Sequence, residues 1–138
     1  MRRSAGPAPP NPRLLHVELS IGRRFAEAVA AQDESAIVGC FTPGVEFRAL
    51  VPPGLRERIG AVEAAALVVG WFADSTQLDL VASRTDEVGD RLHVAYRFEG
   101  IEDGEPCVVE QHLCCVLDGD LIARADLLCS GFRPRRGK

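Results

Sequence analysis

The spacing of apolar residues changes once along the chain, from a helical period to an alternating one. In the first half, apolar residues at helical spacing predict an amphipathic helix over residues 14–31, and Asp33 is placed to cap a short second helix. A third helix is predicted over residues 61–73, where it follows Gly60. The N-terminal part of the chain is therefore predicted to be mainly helical.

Alternating patterns predict five strands. The first covers residues 45–51, lies between the second and third helices, and ends at a Pro-Pro-Gly break. Four more follow the third helix, joined by short turns, at residues 77–87, 91–99, 107–117 and 121–129. The order α-α-β-α-β-β-β-β predicts an α+β fold, with helices first and an antiparallel meander last.

The order of these features resembles the SnoaL-like branch of the nuclear transport factor 2-like superfamily. The features are the short helix led by Asp33, Phe41 with Pro43, Gly60 before a helix that ends near Trp71-Phe72, and the hairpin at residues 117–122. The resemblance spans about residues 17–132. It implies a cone-shaped barrel, in which a curved antiparallel sheet wraps around the N-terminal helices and forms an apolar pocket. It also implies a dimer.

Length and charge predict one domain between two basic tails. The 138 residues suffice for one ordinary domain, placed at residues 14–132, while the Pro-rich residues 1–13 and residues 133–138 are predicted to be disordered. All twenty acidic residues but only nine basic ones lie within residues 14–131, so this body has a net charge of −11. Because phosphate backbones are bound by Lys and Arg, nucleic-acid binding is not expected.

The remaining composition predicts a cytoplasmic protein without a cofactor. No apolar run approaches the roughly 18 residues of a membrane span, and no secretory signal is evident, so no membrane partner is expected. The five cysteines lack CxxC spacing and are predicted to be reduced thiols rather than metal ligands. Neither a metal site nor a cofactor is predicted.

The last hairpin carries the polar residues best placed for chemistry. If residues 117–119 form a three-residue loop, His112 faces Arg124 and Glu110 faces Asp126 on one face of the sheet. A two-residue Asp-Gly turn would shift the register by one residue and separate the two pairs. The longer loop is favoured because it groups the polar residues instead of scattering them among apolar neighbours.

Such a cluster can separate the pKa values of two carboxyl groups, as general acid/base catalysis requires. The alternative is an inert patch of ion pairs. The resemblance adds one implication, since SnoaL-like cyclases carry an acid/base aspartate after the last Asp-Gly turn, and Asp126 stands at that position. Ala125 departs from the family pattern, in which a larger residue usually precedes the aspartate. The related epoxide hydrolases carry an arginine and an aspartate two residues apart on an earlier strand, and Arg97 with Glu99 matches that pair only weakly.

Apolar and aromatic residues are the candidates for contact with a ligand. Tyr96 is expected either to donate a hydrogen bond to a ligand oxygen or to pack in the core. Packing in the core is also the alternative for the other residues of this set. The set predicted to bind ligand is Tyr96, Trp71, Phe72, Phe47 and Cys114.

The second face of the last strand is apolar and predicts a homodimer. It carries Leu121, Ala123, Ala125, Leu127 and Cys129. If the polar cluster lines the pocket, the helices cover that polar face, and the apolar face must meet a second subunit.

Two main functions remain open from the sequence. One is a cofactor-free acid/base enzyme, such as a cyclase, isomerase or epoxide hydrolase, acting on an apolar substrate. The other is a non-catalytic module that binds an apolar ligand or a partner, because pocket walls of apolar residues bind without reacting. A structural dimer without a ligand is a third hypothesis.

Overall fold

The computed structural model describes the backbone of residues 12–135 and the side chains of residues 21–135. The predicted tails are therefore described only in part, because residues 1–11 and 136–138 lie outside this range. Three helices are present, α1 (Pro12–Ala30), α2 (Glu34–Val38) and α3 (Ala61–Trp71). The strands are β1 (Phe41–Val51), β2 (Gly54–Ile59), β3 (Ser75–Val88), β4 (Arg91–Glu102), β5 (Glu105–Asp118), β6 (Leu121–Cys129) and β7 (Arg133–Pro134).

The predicted α+β class and order of elements are confirmed, and two strands are added. β2 forms a hairpin with β1, directly after the predicted Pro-Pro-Gly break. β7 pairs with β5, and Arg135 Nη1 lies 3.1 Å from Glu99 Oε1. The predicted disorder of the C-terminal tail is thus wrong at residues 133–135, where the chain is docked on the sheet.

The strands form one curved sheet in the order β2-β1-β6-β5-β4-β3, with β7 beside β5. The pairs are antiparallel except for β1 with β6, which run parallel. The predicted barrel of antiparallel strands is therefore an open, mixed sheet, since β2 and β3 form two separate edges within the described chain.

The core lies between the helices and one face of the sheet, which we call the inner face. Phe25 of α1 packs against Phe41 and Tyr96, with ring centroids 5.7 and 6.1 Å away. At the other end of the core, Phe72 packs edge-on against Phe98 at 5.7 Å. These aromatic contacts, together with apolar residues of the helices, fill the interior of the cone.

Local chemistry explains where the two short connections to the helices fall. The Asp33 side chain accepts a hydrogen bond from the Ala36 amide at 3.1 Å, which confirms the predicted cap of α2. Gly60, with φ of 109°, adopts a conformation that side chains disfavour and starts α3. The helix ends at Trp71; its Ala64, Ala65 and Val68 are buried, whereas Val62 and Ala66 face outward.

Gly100 permits β3 and β4 to approach closely beside a β-bulge, and we predict that Gly100→Ala destabilises the fold. An alanine Cβ would collide with the backbone of Gln77 and Leu78, which cannot rotate away as a flexible side chain would. We expect the free energy of unfolding, measured in urea, to fall by about 1–3 kcal/mol. Gly44→Ala is the matched control, since nothing lies within 4 Å of its added Cβ. Equal stability of the two variants would contradict the tight packing.

Candidate functional site

The register of the β5–β6 hairpin places the predicted catalytic cluster on the face of the sheet remote from the helices, which we call the outer face. Asp118 pairs with Leu121 around a two-residue turn, and a bulge then shifts the register. As a result Cys114 faces Asp126 and Val116 faces Arg124. The predicted pairs of His112 with Arg124 and of Glu110 with Asp126 are therefore wrong, although the four side chains do share one face.

This placement also corrects the predicted site inside the pocket. In β5 the buried residues are those with odd numbers, such as Leu113 and Cys115, and they alternate with the outer-face residues. The apolar face of β6, including Ala125 and Leu127, is covered by the helices rather than by a second subunit. The predicted dimer contact through this apolar face is therefore wrong.

The outer-face cluster consists of exposed or half-exposed contacts. Asp126 accepts a hydrogen bond from Arg48 Nε at 2.9 Å, and this bond, with the attraction of the carboxylate, raises the pKa of the Arg48 guanidinium. His112 lies 3.1 Å from Glu110 on one side and 3.1 Å from His93 on the other. The catalytic role of Asp126, His112, Glu110 and Arg124 stays a prediction, now for a solvent-facing surface.

The predicted ligand-binding residues separate into an inner group and one outlier. Phe47, Phe72 and Tyr96 are buried in the core, and Trp71 is half-buried with its ring 6.3 Å from that of Phe47. Cys114 lies on the outer face, so the structure separates it from the other four.

A buried polar chain that the sequence analysis missed crosses the inner face. The Tyr96 hydroxyl donates a hydrogen bond to Gln111 Oε1 at 2.6 Å, and Gln111 Nε2 donates to Cys129 Sγ at 3.3 Å. Burial raises the pKa of Tyr96 well above its usual value, so the hydroxyl stays protonated and acts as a donor. A signal was available, because Gln111 interrupts the apolar alternation of β5.

Gln111 is the sole buried polar or charged residue among residues 21–135 when Tyr96 is counted with the aromatic core. The described interior thus contains a hydroxyl and an amide but neither a carboxylate nor an imidazole. The hydroxyl and the amide can orient a ligand or form a hydrogen bond with each other. A carboxylate or an imidazole is better suited to general acid/base catalysis near neutral pH.

A surface groove lies between α3 and the β1–β2 hairpin, and we call it the α3–β2 groove. Its volume is about 520 Å³, within the range of small-molecule pockets. Trp71 links this groove to the core, because its ring lies next to Phe47. The apolar part of the lining is formed by Val51, Pro52, Ala66, Leu67, Gly70 and Trp71.

The polar side chains of the α3–β2 groove are Arg56, Arg58 and Glu63. The two arginines were not predicted as site residues, because no strand was predicted at residues 55–59. The segment Leu-Arg-Glu-Arg-Ile does alternate, and reading it as a strand would have placed both arginines on one face.

The described part of the chain contains neither a metal-ligand cluster nor a membrane-spanning helix. No group of three or more His, Cys, Asp or Glu side chains within it is arranged to hold a metal ion. No helix within it is long and apolar enough to span a membrane.

Comparison with known proteins identifies the fold and then the family. A candidate SnoaL-like polyketide cyclase from Jannaschia sp. CCS1 superimposes with a TM-score of 0.71 at 17% identity, covering 90% of this chain and 92% of that one. A candidate isomerase from Bacillus subtilis gives 0.70 at 13% identity, covering 84% and 88%. The chain therefore has the nuclear transport factor 2-like cone fold.

The family follows from the sequence match. The family model described as the SnoaL-like domain matches residues 22–125, and the chain belongs to this family. No curated protein matches the chain in sequence. A protein with a ketosteroid isomerase-like fold from Catenulispora acidiphila, solved in complex with trimethylamine, also shares the fold, with a TM-score of 0.66 at 15% identity over 78% of this chain and 82% of that one.

Proposed function

We propose that this protein binds a small apolar molecule in the α3–β2 groove. The observation that carries the proposal is the groove itself, which has a mainly apolar lining and a half-buried tryptophan at one end. An aromatic side chain that is neither fully packed nor fully solvated gains contact area when a ligand covers it. The name of the Catenulispora neighbour, which binds a small organic molecule, agrees with this use of the fold.

The geometry favours binding over acid/base catalysis at this position. Of the residues that line the α3–β2 groove, only Glu63 carries a carboxylate, and none is a histidine. An acid/base enzyme, such as the cyclase or isomerase that the names of related structures suggest, is the second candidate. It is supported by the contact of Glu110 with His112 on the outer face, where a substrate would meet proton donors and acceptors.

We also propose that the protein is cytoplasmic, as the sequence analysis predicted. The five described cysteines are all unpaired, which agrees with reduced thiols in a reducing compartment.

Intrinsic fluorescence tests the binding proposal directly, because Trp71 is the single tryptophan of the chain. We expect titration with 1-octanol, an uncharged apolar probe, to change the emission saturably. Ala66→Phe should weaken this binding at least tenfold, because Ala66 lines the groove and a phenyl ring would occupy it.

Val62→Phe provides the matched control. Val62 lies one helical turn earlier on α3, is 62% exposed, and does not line the groove. The Val62→Phe variant should bind 1-octanol as tightly as the unmodified protein does. Absence of saturable binding in the unmodified protein, or equal binding by both variants, would refute the proposed site.

We propose further that the outer face pairs with a second copy of the chain. Leu55, Leu50 and Leu128 lie side by side on β2, β1 and β6 and are 53, 52 and 54% exposed. Charges of both signs surround this row, including Arg48 and Asp126, as a self-complementary two-fold interface requires.

Leu128→Lys should therefore convert a dimer into a monomer in sedimentation-velocity experiments at micromolar concentration. The introduced charge would be buried in the interface without a partner. Val88→Lys is the control, because Val88 is also exposed but lies at the far edge of the sheet on β3. A monomeric parent protein, or a dimeric Leu128→Lys variant, would contradict the proposed interface.

A further inference from the structure

Two arginines project from β2 on the side of the sheet that faces α3. β2 pairs with β1 so that Arg58 lies beside Phe47 and Arg56 beside Ala49. Phe47 and Ala49 are both buried on the inner face, and cross-strand neighbours point to the same face of a sheet. The two guanidinium groups therefore extend the inner face beyond the core and line the α3–β2 groove.

The charges of these two arginines are not neutralised by described parts of the chain. Arg58 Nη1 donates a hydrogen bond to the Glu57 carbonyl at 2.7 Å, and Arg56 Nη1 donates to the Leu55 carbonyl at 3.3 Å. Within residues 21–135, neither guanidinium lies within 4.0 Å of a carboxylate oxygen. Most of their hydrogen-bond donors therefore remain free.

Glu63, the one carboxylate lining the groove, is turned away toward the start of α3. One of its oxygens lies so near Gly60 that a Cβ added to Gly60 would approach it to 2.5 Å. At this position, three residues after the helix cap, a carboxylate is stabilised by the free amides and dipole of the helix N-terminus. Among residues 21–135 no ion pair joins Glu63 to either arginine, so the groove keeps a local positive charge in an acidic protein.

We propose, building on the proposed function, that the ligand is an amphipathic carboxylate. Its apolar body lies along Leu67 and Trp71, and its carboxylate is bound by Arg56 and Arg58. A guanidinium presents paired N–H groups that match the two oxygens of a carboxylate. The arrangement selects against uncharged and cationic molecules with the same apolar body.

The test compares probes that differ only in the head group. Octanoate and 1-octanol are titrated against Trp71 fluorescence at pH 7 and constant ionic strength. We expect octanoate to bind about tenfold more tightly, which corresponds to about 1.4 kcal/mol. Octyltrimethylammonium should bind more weakly than 1-octanol.

The double variant Arg56→Gln/Arg58→Gln should remove the preference for octanoate and leave 1-octanol binding unchanged. Arg84→Gln is the charge control, because Arg84 lies on β3, at the opposite edge of the sheet from β2, and it should keep the preference. The preference of the unmodified protein should also shrink as salt is added.

The outcomes distinguish this inference from the proposed function. Saturable binding of 1-octanol without a preference for octanoate would overturn the carboxylate assignment and leave the groove as an apolar site. A preference that survives in the double variant would overturn the role of the two arginines. Failure of both probes to bind would refute the proposed function itself.

Discussion

Replacing Phe25 by alanine should lower the free energy of unfolding by about 3–5 kcal/mol, a large part of the stability of a domain of this size. Phe25 is fully buried where α1 crosses the inner face, and its ring contacts both Phe41 and Tyr96. Alanine would leave a cavity that these rings, themselves held by the sheet, fill only partly. Urea unfolding followed by circular dichroism measures the loss.

Phe132→Ala is the control for this prediction, because it removes the same side chain from a different environment. Phe132 is 37% exposed and contacts Phe72 at 5.8 Å near the end of the described chain. Its removal should cost about 1 kcal/mol, since much of the ring is already in water. Similar losses for the two variants would contradict the assignment of Phe25 to the centre of the core.

The second large effect is a loss of stability at alkaline pH. Burial raises the pKa of the Cys115 thiol from 9.0 to about 12. The unfolded chain therefore releases this proton at a lower pH than the folded chain does. The contribution is fully present below pH 9 and is lost as the pH rises toward 12. We expect the free energy of unfolding to be about 2–3 kcal/mol lower at pH 11 than at pH 8 from this group alone.

Cys115→Ala isolates that contribution. Alanine creates a small cavity, so the variant should be less stable at pH 8, but this cost does not depend on pH. The free energy of unfolding of the variant should therefore fall less steeply between pH 8 and pH 11. Parallel pH profiles for the two proteins would show that the Cys115 thiol does not retain its proton in the folded state.

Much of the fold could be predicted from the sequence because its signals are local. The cap at Asp33 and the alternating residues of β4 depend on near neighbours, and the structure places them as expected. β2 was missed because it is short and almost wholly exposed, and because a glutamate between its two arginines obscures the alternation of apolar and polar residues that marks a half-buried strand.

The candidate site was less predictable, because it depends on register and on the choice of face. The two-residue turn shifts the register of β6 by one residue, and the bulge near Ala123 returns its polar residues to the face that carries those of β5. No local sequence pattern predicts this bulge. The polar residues were therefore grouped correctly on one face but paired incorrectly. The helices cover the face that carries Leu113 and Leu127, which are buried. The opposite face was predicted to be covered, because a catalytic Asp126 was expected to line the pocket.

The most direct test of the central claim, that the ligand lies in the α3–β2 groove, is a two-dimensional ¹H–¹⁵N spectrum recorded with increasing octanoate. Trp71 contributes a single indole signal, since the chain has one tryptophan. We predict that this signal and the amides of Leu67 and Gly70 shift saturably, with a common dissociation constant. Shifts centred instead on Cys114 and Asp126 would place the ligand on the outer face and contradict the account.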